Sequence, residues 1–385
     1  MTKQNKICVY AICKNEIKFI DKWIESMSEA DYIVVLDTGS TDGTLEKLQN
    51  DSRITTVKQE IINPWRFDVA RNESMKLIPE DANICVCTDM DELFDKGWAE
   101  ILRTRWDETK HYMAWYKYAW NHDNNGNPIR VFKYDKIHSR NGWKWIYPIH
   151  EGIAPSNSKE VFDPSRVLDV FDDIYLHHYQ DNSKERSSYL PLLEIRRDEN
   201  PHDLQTRAHL VHEYLYNSEF QKCIDEVDKT ISEFSAELTL EFLGSLYLFK
   251  GDAYTGLGDD EKAINTYQKS IEVAPQFAEP HIALATVLMR YNKYIEVINV
   301  LKKCLEVANQ YYVWFQRGVD CTEDTIYDLL SCSYFFLGEY DLALANVLKA
   351  IKLNPTNERV VTNYNLIAQA VFGPLGRIGQ NSIVQ

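Results

Sequence analysis

The segment YIVVLDTGSTDGT, residues 32–44, joins an unbroken apolar run to a turn that contains two glycines. Apolar residues that do not alternate with polar ones are typical of a strand whose two faces are both covered. The run ends at Asp37, where Gly39 and Gly43 permit a tight turn, and helical spacing begins near Thr41. The segment therefore predicts a strand, a turn and a helix, which together form the repeating unit of a parallel sheet.

The same alternation extends over the first half of the chain. Strand-like runs are ICVYAIC (7–13), YIVVLD (32–37), ITTVKQ (54–59) and NICVCTD (83–89), and helical spacing covers residues 16–29, 40–51 and 66–78. Strands that alternate with helices predict a Rossmann-like α/β domain with a mostly parallel sheet. Ligands bind beyond the carboxyl ends of such strands, so we expect Asp37 and Asp89 to face one crevice.

The second half of the chain lacks strand-like runs and contains an internal repeat. One unit consists of Gly251, Tyr254, Gly258, Ala263, Tyr267, Ser270 and Pro275, and a later one of Leu330, Tyr334, Gly338, Ala343, Val347, Ala350 and Pro355. A weaker unit with Leu210, Tyr214, Cys223 and Val227 precedes them, and QYYVWFQRGVDC (310–321) is an insertion. This spacing is that of a tetratricopeptide unit, and it predicts an all-α solenoid of about four helix pairs. The predicted domains are residues 1–192 and residues 200–372, with a capping helix at 359–372 and a frayed tail at 373–385.

Composition and charge exclude several classes of protein. With 44% hydrophobic and 12% aromatic residues, the chain of 385 residues is globular. Its net charge of −16, without a cluster of Lys and Arg, argues against nucleic acid as a partner. No apolar run approaches the roughly 20 residues of a membrane span, and the N-terminal run is too short for a signal peptide. The eight cysteines are scattered through apolar segments, so we expect a soluble, cytoplasmic protein with buried thiols.

The segment VCTDMDELFD, residues 86–95, gathers acidic side chains where a buried strand ends. Asp89, Asp91 and Glu92 follow the apolar run directly, which indicates that a positive group is held there. A divalent cation with oxygen ligands fits this pattern. The alternative is a plain acidic turn, since two aspartates separated by one residue often occur by chance.

Four motifs occur in an order that resembles the family 2 glycosyltransferases of the GT-A type. They are AICKNE (11–16), VVLDTGSTDGT (34–44), FDVARNES (67–74) and TDMDE (88–92). Combined with tetratricopeptide repeats, the chain resembles bacterial protein and peptide glycosyltransferases, including the bacteriocin S-glycosyltransferases. The segment LHHYQDNSKERSSYLPLLE (176–194) is similar to the one that closes the catalytic domain in that subgroup. The resemblance implies a GT-A fold and sugar transfer from a nucleotide donor.

This resemblance implies a UDP-sugar as donor and Mn²⁺ or Mg²⁺ as cofactor. Asp91 then binds the metal directly, while Asp89, on the other side of Met90, orients the ribose or a metal-bound water and completes the metal site. Asp37 accepts a hydrogen bond from the uracil; capping of the following helix is its alternative role. The base and ribose are lined by Ala11, Lys14, Asn15 and Glu16, although Lys14 and Glu16 are equally interpreted as solvated charges.

The resemblance extends to a helix and to a histidine pair. The helix that carries Asp68, Arg71 and Asn72 packs on the nucleotide, with Asp68 or Arg71 nearest; an ordinary surface arginine is the alternative. In the subgroup, a histidine near the end of the domain completes the metal site. His178 matches that position better than His177.

The remaining residues concern the diphosphate and the acceptor. Lys184 and Arg186 lie in a polar loop that covers the diphosphate when the loop closes. Family 2 enzymes generally invert the anomeric centre, so the acceptor needs a general base, for which Glu151 is the candidate. A structural ion pair is the alternative role of Glu151. The aromatic residues Trp143, Trp145 and Tyr147 form either a sugar platform or part of the core.

These observations lead to competing functions. The first is an inverting, metal-dependent glycosyltransferase whose solenoid presents a protein or peptide acceptor and is a candidate for mediating a homodimer. The second is a protein-binding scaffold with an inactive glycosyltransferase-like domain. A hydrolase or nucleotidyltransferase on a similar sheet is the third, although the chain lacks the phosphate-binding loop of ATP-using enzymes.

Overall fold

A computed structural model of the chain describes residues 5–123, 126–157, 159, 161–181, 189–307 and 322–373. The chain divides into two compact units, residues 1–199 and residues 200–385. The strands are β1 (Ile7–Cys13), β2 (Tyr32–Asp37), β3 (Thr56–Gln59), β4 (Ile84–Cys87), β5 (Glu92–Phe94), β6 (Met113–His122), β7 (Pro128–Ser139), β8 (Trp143–Ile146), β9 (Gly152–Pro155), β10 (Val167–Asp169) and β11 (Tyr175–His178). The helices are α1 (Ile20–Met27), α2 (Thr44–Asn50), α3 (Phe67–Met75), α4 (Trp98–Arg105), α5 (Tyr189–Glu199), α6 (Leu204–Tyr216), α7 (Phe220–Phe234), α8 (Leu240–Gly256), α9 (Asp260–Val273), α10 (Ala278–Arg290), α11 (Tyr294–Val307), α12 (Glu323–Phe336), α13 (Tyr340–Leu353) and α14 (Glu358–Phe372).

Strand β1 lies at the centre of the parallel half of the sheet. It pairs in parallel with β2 and β4, and β2 pairs in parallel with β3. Every residue of β1 is buried, since Ile7 and Val9 lie in one apolar cluster with Trp23 of α1 and Tyr10 lies in another with Trp145 of β8. Burial on both faces explains why the sequence of this strand does not alternate.

The other half of the sheet contains antiparallel pairs, so the sheet is mixed. β7 pairs antiparallel with both β4 and β6, and β11 lies between β6 and β5. The predicted fold class, an α/β domain followed by helical repeats, is confirmed. The sequence analysis did not predict β7, the strand that makes the sheet mixed by pairing antiparallel with β4 and β6. β6 and β7 follow each other closely in sequence and form a long antiparallel pair, the β6–β7 hairpin, which needs no crossover helix.

The helices of the first unit are shorter than predicted. Residues 16–29, 40–51 and 66–78 were expected to be helical, whereas α1, α2 and α3 cover only the central part of each segment. The residues that precede α1 and α2 form loops at the carboxyl ends of β1 and β2. Ligands bind at this end of a parallel sheet.

The second unit consists of helices packed in consecutive pairs, from α6 with α7 to α12 with α13, and α14 packs on α13. At the closest approach of α8 and α9, a Cβ atom on Gly251 would lie 2.5 Å from the ring of Tyr267, so only glycine fits. The Ser270 hydroxyl donates to the carbonyl of Gly244 at 2.7 Å. These contacts confirm the predicted repeats, while the insertion at 310–321 and the tail beyond Gly373 lie outside the described residues.

Two further expectations concern membranes and thiols. Among the described helices, none is long and apolar enough to cross a membrane. The described cysteines form no disulfide, and all except Cys332 are buried. Cys321 lies outside the described residues.

A chain of hydrogen bonds inside the first unit connects β8, β1 and β7. The indole N–H of Trp145 donates to the Tyr10 hydroxyl at 2.9 Å, and that hydroxyl donates to His138 Nε2 at 2.7 Å. His138 Nδ1 lies 2.8 Å from the carbonyl oxygen of Ser139, so Nδ1 carries the proton and Nε2 accepts. Burial disfavours the charged ring and lowers the pKa of His138 to about 4.

We expect this histidine to make the first unit sensitive to acid. The unfolded chain protonates His138 near a pKa of 6.5, whereas the folded protein resists protonation down to about 4. The free energy of unfolding is therefore not reduced by His138 above pH 6.5. It declines as the pH falls from 6.5 toward about 4, by up to ~3 kcal/mol. Urea unfolding across this range should show a shallower decline for His138→Gln, whose amide oxygen can still accept from Tyr10. Equal declines in both proteins would assign the acid sensitivity to other groups.

Candidate functional site

The acidic turn after β4 is fixed by the buried carboxylate of Glu92. One Glu92 oxygen accepts from the backbone N–H of Asp89 at 2.9 Å, and the other accepts from the Tyr118 hydroxyl at 2.8 Å. Met90 is buried and anchors the turn in the apolar core. Burial raises the pKa of Glu92. The turn therefore has one backbone arrangement, which sets the positions of Asp89 and Asp91.

Two buried cations hold the side chain of Asp89. Arg71 of α3 donates to Asp89 Oδ1 at 2.9 Å, and Lys136 of β7 places Nζ 3.4 Å from Asp89 Oδ2. Burial opposes ionisation of Asp89, but the charges of Arg71 and Lys136 outweigh it and hold the pKa of Asp89 well below its usual range. Asp89 is thus an ionised carboxylate with both oxygens engaged, which favours an orienting role over direct metal binding.

Arg71 is a buried residue, so its interpretation as a surface arginine is wrong. Its guanidinium also donates to Glu151 and lies 3.1 Å from Cys87 Sγ and 5.0 Å from the ring of Trp145. Its guanidinium is thus engaged by protein groups, and the expected contact of Arg71 with the nucleotide stays a prediction. For Glu151, this arrangement favours the structural ion pair over the general base, since its carboxylate is engaged by a buried cation.

Asp91 and His178 lie next to each other beside the ion pairs of Arg71 and Asp89. A carboxylate oxygen of Asp91 and an imidazole nitrogen of His178, each with a lone pair, face each other there. His178 Nδ1 lies 3.0 Å from the carbonyl oxygen of Trp120, so Nδ1 carries the proton and the lone pair of the neutral ring is on Nε2. Nε2 lies 3.5 Å from Asp91 Oδ2. Burial alone would lower the pKa of His178, but the hydrogen bond and charge of Asp91 raise it. The pair attracts a positive charge, which fits the predicted metal.

The metal would need further ligands from its substrate. Among the described residues, no group of three or more His, Cys, Asp or Glu side chains has an arrangement that could hold an ion. A carboxylate and one imidazole, completed by phosphate oxygens and water, are a donor set that divalent cations accept in phosphate-transferring sites. His177 lies on the opposite face of β11, where its Nδ1 is 2.9 Å from His122 Nε2.

Two loops at the carboxyl ends of β1 and β2 are joined to each other. The Asn15 carboxamide oxygen accepts from the Thr41 N–H at 2.8 Å, and the Ser40 hydroxyl accepts from the Asn15 N–H at 2.9 Å. Asn15 has a φ of 58°, a left-handed conformation that asparagine tolerates. Lys14 is exposed beside it. The loops therefore form one joined platform at the carboxyl ends of β1 and β2.

Asp37 lies at the base of this platform and is fully buried. Its Oδ1 accepts from the N–H groups of Gly39 and Ser40, both at 3.0 Å, and from Gln59 at 2.9 Å. Burial would raise the pKa of Asp37, but these hydrogen bonds lower it. Oδ1 therefore shapes the turn before α2, while Oδ2 accepts from the Cys13 thiol at 3.5 Å, so both oxygens of the buried carboxylate are engaged by the protein.

The other predicted residues have mainly structural contacts. Asn72 accepts from the Trp145 N–H and donates to its carbonyl, so it binds β8 to α3. Asp68 pairs with Arg66, Ala11 is buried in β1, and the Glu16 N–H donates to Thr44 Oγ1 at 2.8 Å. Trp145 is buried, which favours core over sugar platform. Lys184 and Arg186 lie outside the described residues.

Sequence reasoning missed Lys136, Tyr118 and Trp120. All three belong to the β6–β7 hairpin, whose register with β4 is needed before any of them can be placed near Asp89. A hairpin predicted from the alternating residues of MAWYKYAWNH (113–122) would have located Tyr118 on a buried face. No comparable signal in the sequence identifies Lys136.

Comparison with known proteins agrees with this division of the chain. Residues 8–163 match the model of Glycosyl transferase family 2, residues 251–290 match a TPR repeat, and residues 324–357 match a Tetratricopeptide repeat. The first unit is therefore similar to family 2 glycosyltransferases, and the second unit is similar to tetratricopeptide repeats.

Two relatives each resemble part of the chain. The lipopolysaccharide core biosynthesis glycosyltransferase LpsC of Rhizobium meliloti is 25% identical over 162 residues, which are 40% of this chain and 58% of LpsC. The TPR repeat-containing protein MJ1428 of Methanocaldococcus jannaschii is 26% identical over 231 residues, which are 56% of this chain and 38% of MJ1428. The chain thus spans less than two thirds of either relative.

Among solved structures, the chain is similar to TTC0263, a thermophilic TPR protein of Thermus thermophilus. The TM-score is 0.35 at 20% identity, over 47% of this chain and 89% of that one. YrrB, a TPR protein with an unusual peptide-binding site, gives a TM-score of 0.37 at 13% identity, over 48% of this chain and 86% of that one.

Removal of the Arg71 guanidinium is expected to destabilise the first unit strongly. Arg71→Met leaves the largely buried carboxylate of Glu151 without its cation and removes one of the two cations beside the partly exposed Asp89, which costs about 3 kcal/mol. The matched control is Arg53→Met, because Arg53 forms exposed ion pairs with Asp51 and Glu25. That change should cost less than about 1 kcal/mol in the same urea titrations. A similar small loss in both variants would contradict the central role given to Arg71.

Proposed function

We propose that this protein is an inverting, metal-dependent glycosyltransferase that moves a sugar from a UDP-sugar to a protein or peptide acceptor. The observation that carries the proposal is the convergence of Asp91 Oδ2 and His178 Nε2 at 3.5 Å, beyond the carboxyl ends of the sheet. A protein that had kept this domain only as a scaffold would have no reason to retain such a pair. The match to Glycosyl transferase family 2 supports the reaction class.

Asp91 and His178 would hold the cofactor. Mn²⁺ is favoured over Mg²⁺, because Mg²⁺ prefers an all-oxygen shell and one of these ligands is an imidazole. The bound ion would supply a Lewis acid for the charge that develops on the departing diphosphate. Asp89, kept ionised by Arg71 and Lys136, orients the ribose or a metal-bound water, and Met90 keeps the two aspartates apart by filling the core beneath them.

The uridine would lie on the platform of the two joined loops. Asn15 and Ser40 fix the platform, and Lys14 is exposed at its edge. Asp37 Oδ2 would accept from the uracil N–H if the turn that buries it opens when the donor binds. Glu16, whose N–H donates to Thr44 Oγ1, lies next to the platform, and Asp68 on α3 stays a proposed donor-site residue. Lys184 and Arg186, in the segment after β11, are proposed to neutralise the diphosphate.

Inversion by direct displacement also requires a base for the acceptor. Glu151 takes this role only if its ion pair with Arg71 opens on substrate binding. The contacts favour a different contribution, in which Glu151 orients Arg71 and thereby Asp89. Loss of transfer in Glu151→Gln would then be accompanied by weaker donor binding, which loss of a general base alone would not produce.

The tetratricopeptide repeats are proposed to bind the acceptor. Solenoids of this kind offer an extended surface for a polypeptide. A carbohydrate acceptor is the second candidate, because the relative LpsC is named for lipopolysaccharide core biosynthesis. Transfer assays with peptide and oligosaccharide acceptors distinguish the two.

The donor site is tested by thermal unfolding. UDP should raise the melting temperature of chelator-treated protein only when Mn²⁺ or Mg²⁺ is added, because the ion joins the diphosphate to Asp91 and His178. Asp91→Ala and His178→Ala should abolish the shift while the fold persists.

His177→Ala is the matched control, since His177 is the neighbouring residue on the opposite face of β11. It should retain the shift. Equal stabilisation by UDP with and without metal would overturn metal dependence, and the reverse ranking of the two histidines would reassign the ligand.

The division of labour between the units is tested by truncation after Glu199, at the boundary of the first unit. Residues 1–199 should bind UDP with metal, because every residue of the proposed donor site lies within them. Transfer to a polypeptide should fall much further than donor binding, because the repeats position the acceptor. The comparison requires that the fragment unfold cooperatively. Transfer at the full-length rate by such a fragment would show that the repeats do not bind the acceptor.

A further inference from the structure

An aromatic wall lines one face of the β6–β7 hairpin beside the proposed metal ligands. It consists of Tyr118 and Trp120 of β6 and Phe132 and Tyr134 of β7, with Tyr118 opposite Phe132 in the register. Tyr118 and Tyr134 stack at 4.2 Å, and Tyr118 lies 5.3 Å from Phe132. Tyr118 is buried, whereas Trp120 is 40% exposed and Phe132 is 42% exposed. The wall is therefore rigid at its base and open at its outer edge.

Trp120 is joined to His178 in two ways. Its backbone carbonyl accepts from His178 Nδ1 at 3.0 Å, which fixes the orientation of the imidazole. Its indole ring lies 5.0 Å from the imidazole ring, measured between centroids. The exposed indole thus lies beside the imidazole whose Nε2 would face the metal. Movement of the Trp120 backbone would also move His178, because the two are hydrogen-bonded.

An exposed tryptophan at this point is suited to a sugar. Single exposed apolar residues are common on protein surfaces, but this one is held on a packed aromatic base beside ligating groups. A pyranose ring has an apolar face of C–H groups and a rim of hydroxyls, so it stacks on an indole while polar neighbours bind the rim. Sites for small ligands generally combine aromatic walls with a few polar groups in this way.

We propose that Trp120, with Phe132 beside it, is the platform on which the transferred sugar of the UDP-sugar stacks. The inference rests on the proposed function, because the donor diphosphate is the group that Asp91 and His178 are proposed to hold. The transferred sugar is bonded to the β-phosphate of that diphosphate, so it lies within reach of a ring beside His178, and the comparison of UDP with a UDP-sugar separates it from the ribose on the α-phosphate. This places the sugar platform on the hairpin instead of at Trp143, Trp145 and Tyr147.

The test compares the affinities for UDP and for a UDP-sugar in the full-length protein with Mn²⁺, by calorimetry. The probe is whichever of UDP-glucose, UDP-galactose, UDP-N-acetylglucosamine and UDP-N-acetylgalactosamine binds the unmodified protein most tightly. Trp120→Ala should weaken binding of this UDP-sugar about tenfold and leave UDP binding within about twofold, since only the sugar loses its stacking contact. Trp120→Phe should recover most of the loss.

Phe162→Ala is the matched control, because Phe162 is 41% exposed and contacts the rings of Tyr112 and Trp115 away from the hairpin's wall. It should leave both affinities unchanged. All variants should melt like the unmodified protein; if Trp120→Ala does not, Trp120→Phe and Trp120→His carry the comparison.

Three results would overturn the proposal. Unchanged affinity of Trp120→Ala for the UDP-sugar, with slower transfer, would assign the platform to the acceptor. An equal loss for UDP and UDP-sugar would mean that Trp120 contacts the UDP part of the donor or acts through His178. Failure of the unmodified protein to bind any of these nucleotides with metal would instead refute the proposed function itself, and the platform with it.

Discussion

The buried guanidinium of Arg71, through its ion pair with Asp89 and its other contacts, joins several segments of the first unit. A guanidinium that is removed from water is stable only when its charge and its N–H groups are matched, and here Asp89, Glu151, Cys87 and the Trp145 ring provide the match. These groups come from the turn after β4, from the loop before β9, and from β4 and β8. Through one side chain, helix α3 thus fixes the relative positions of several segments that are distant in sequence.

The same ion pair gives the two aspartates of the acidic turn different surroundings. Asp89 faces two cations and is committed to the protein, whereas Asp91 faces His178 and is suited to an ion that comes with the substrate. An acidic turn without this asymmetry would bind cations weakly and at random. The buried charges of Arg71 and Lys136 thus engage Asp89, so that Asp91, on the other side of Met90, is the aspartate left to face His178.

The sequence allowed prediction of those elements whose pattern is local. β1 and β2 begin and end where their apolar runs do, and the glycine-rich turn after Asp37 lies where its residues require it. The repeats were predictable because each helix pair reuses the same small residues, such as Gly251 against Tyr267. By contrast, the position of Lys136 depends on the register of the β6–β7 hairpin, which no local pattern fixes. The ion pair of Glu151 depends on how α3 packs against the loop before β9. His178 was placed near Asp91 through a family resemblance and not through its own sequence context.

The spacing of Asp91 and His178 is set by main-chain hydrogen bonds. His178 is the register partner of Glu92 between β11 and β5, and the Tyr179 N–H donates to the Asp91 carbonyl at 2.8 Å. Asp91 lies directly before β5 and His178 is the last residue of β11, so main-chain hydrogen bonds limit how far the two proposed ligands can move apart. Ca²⁺ needs more ligands at longer distances than Mg²⁺ or Mn²⁺. With the cation held as proposed, the sheet would therefore disfavour the larger ion.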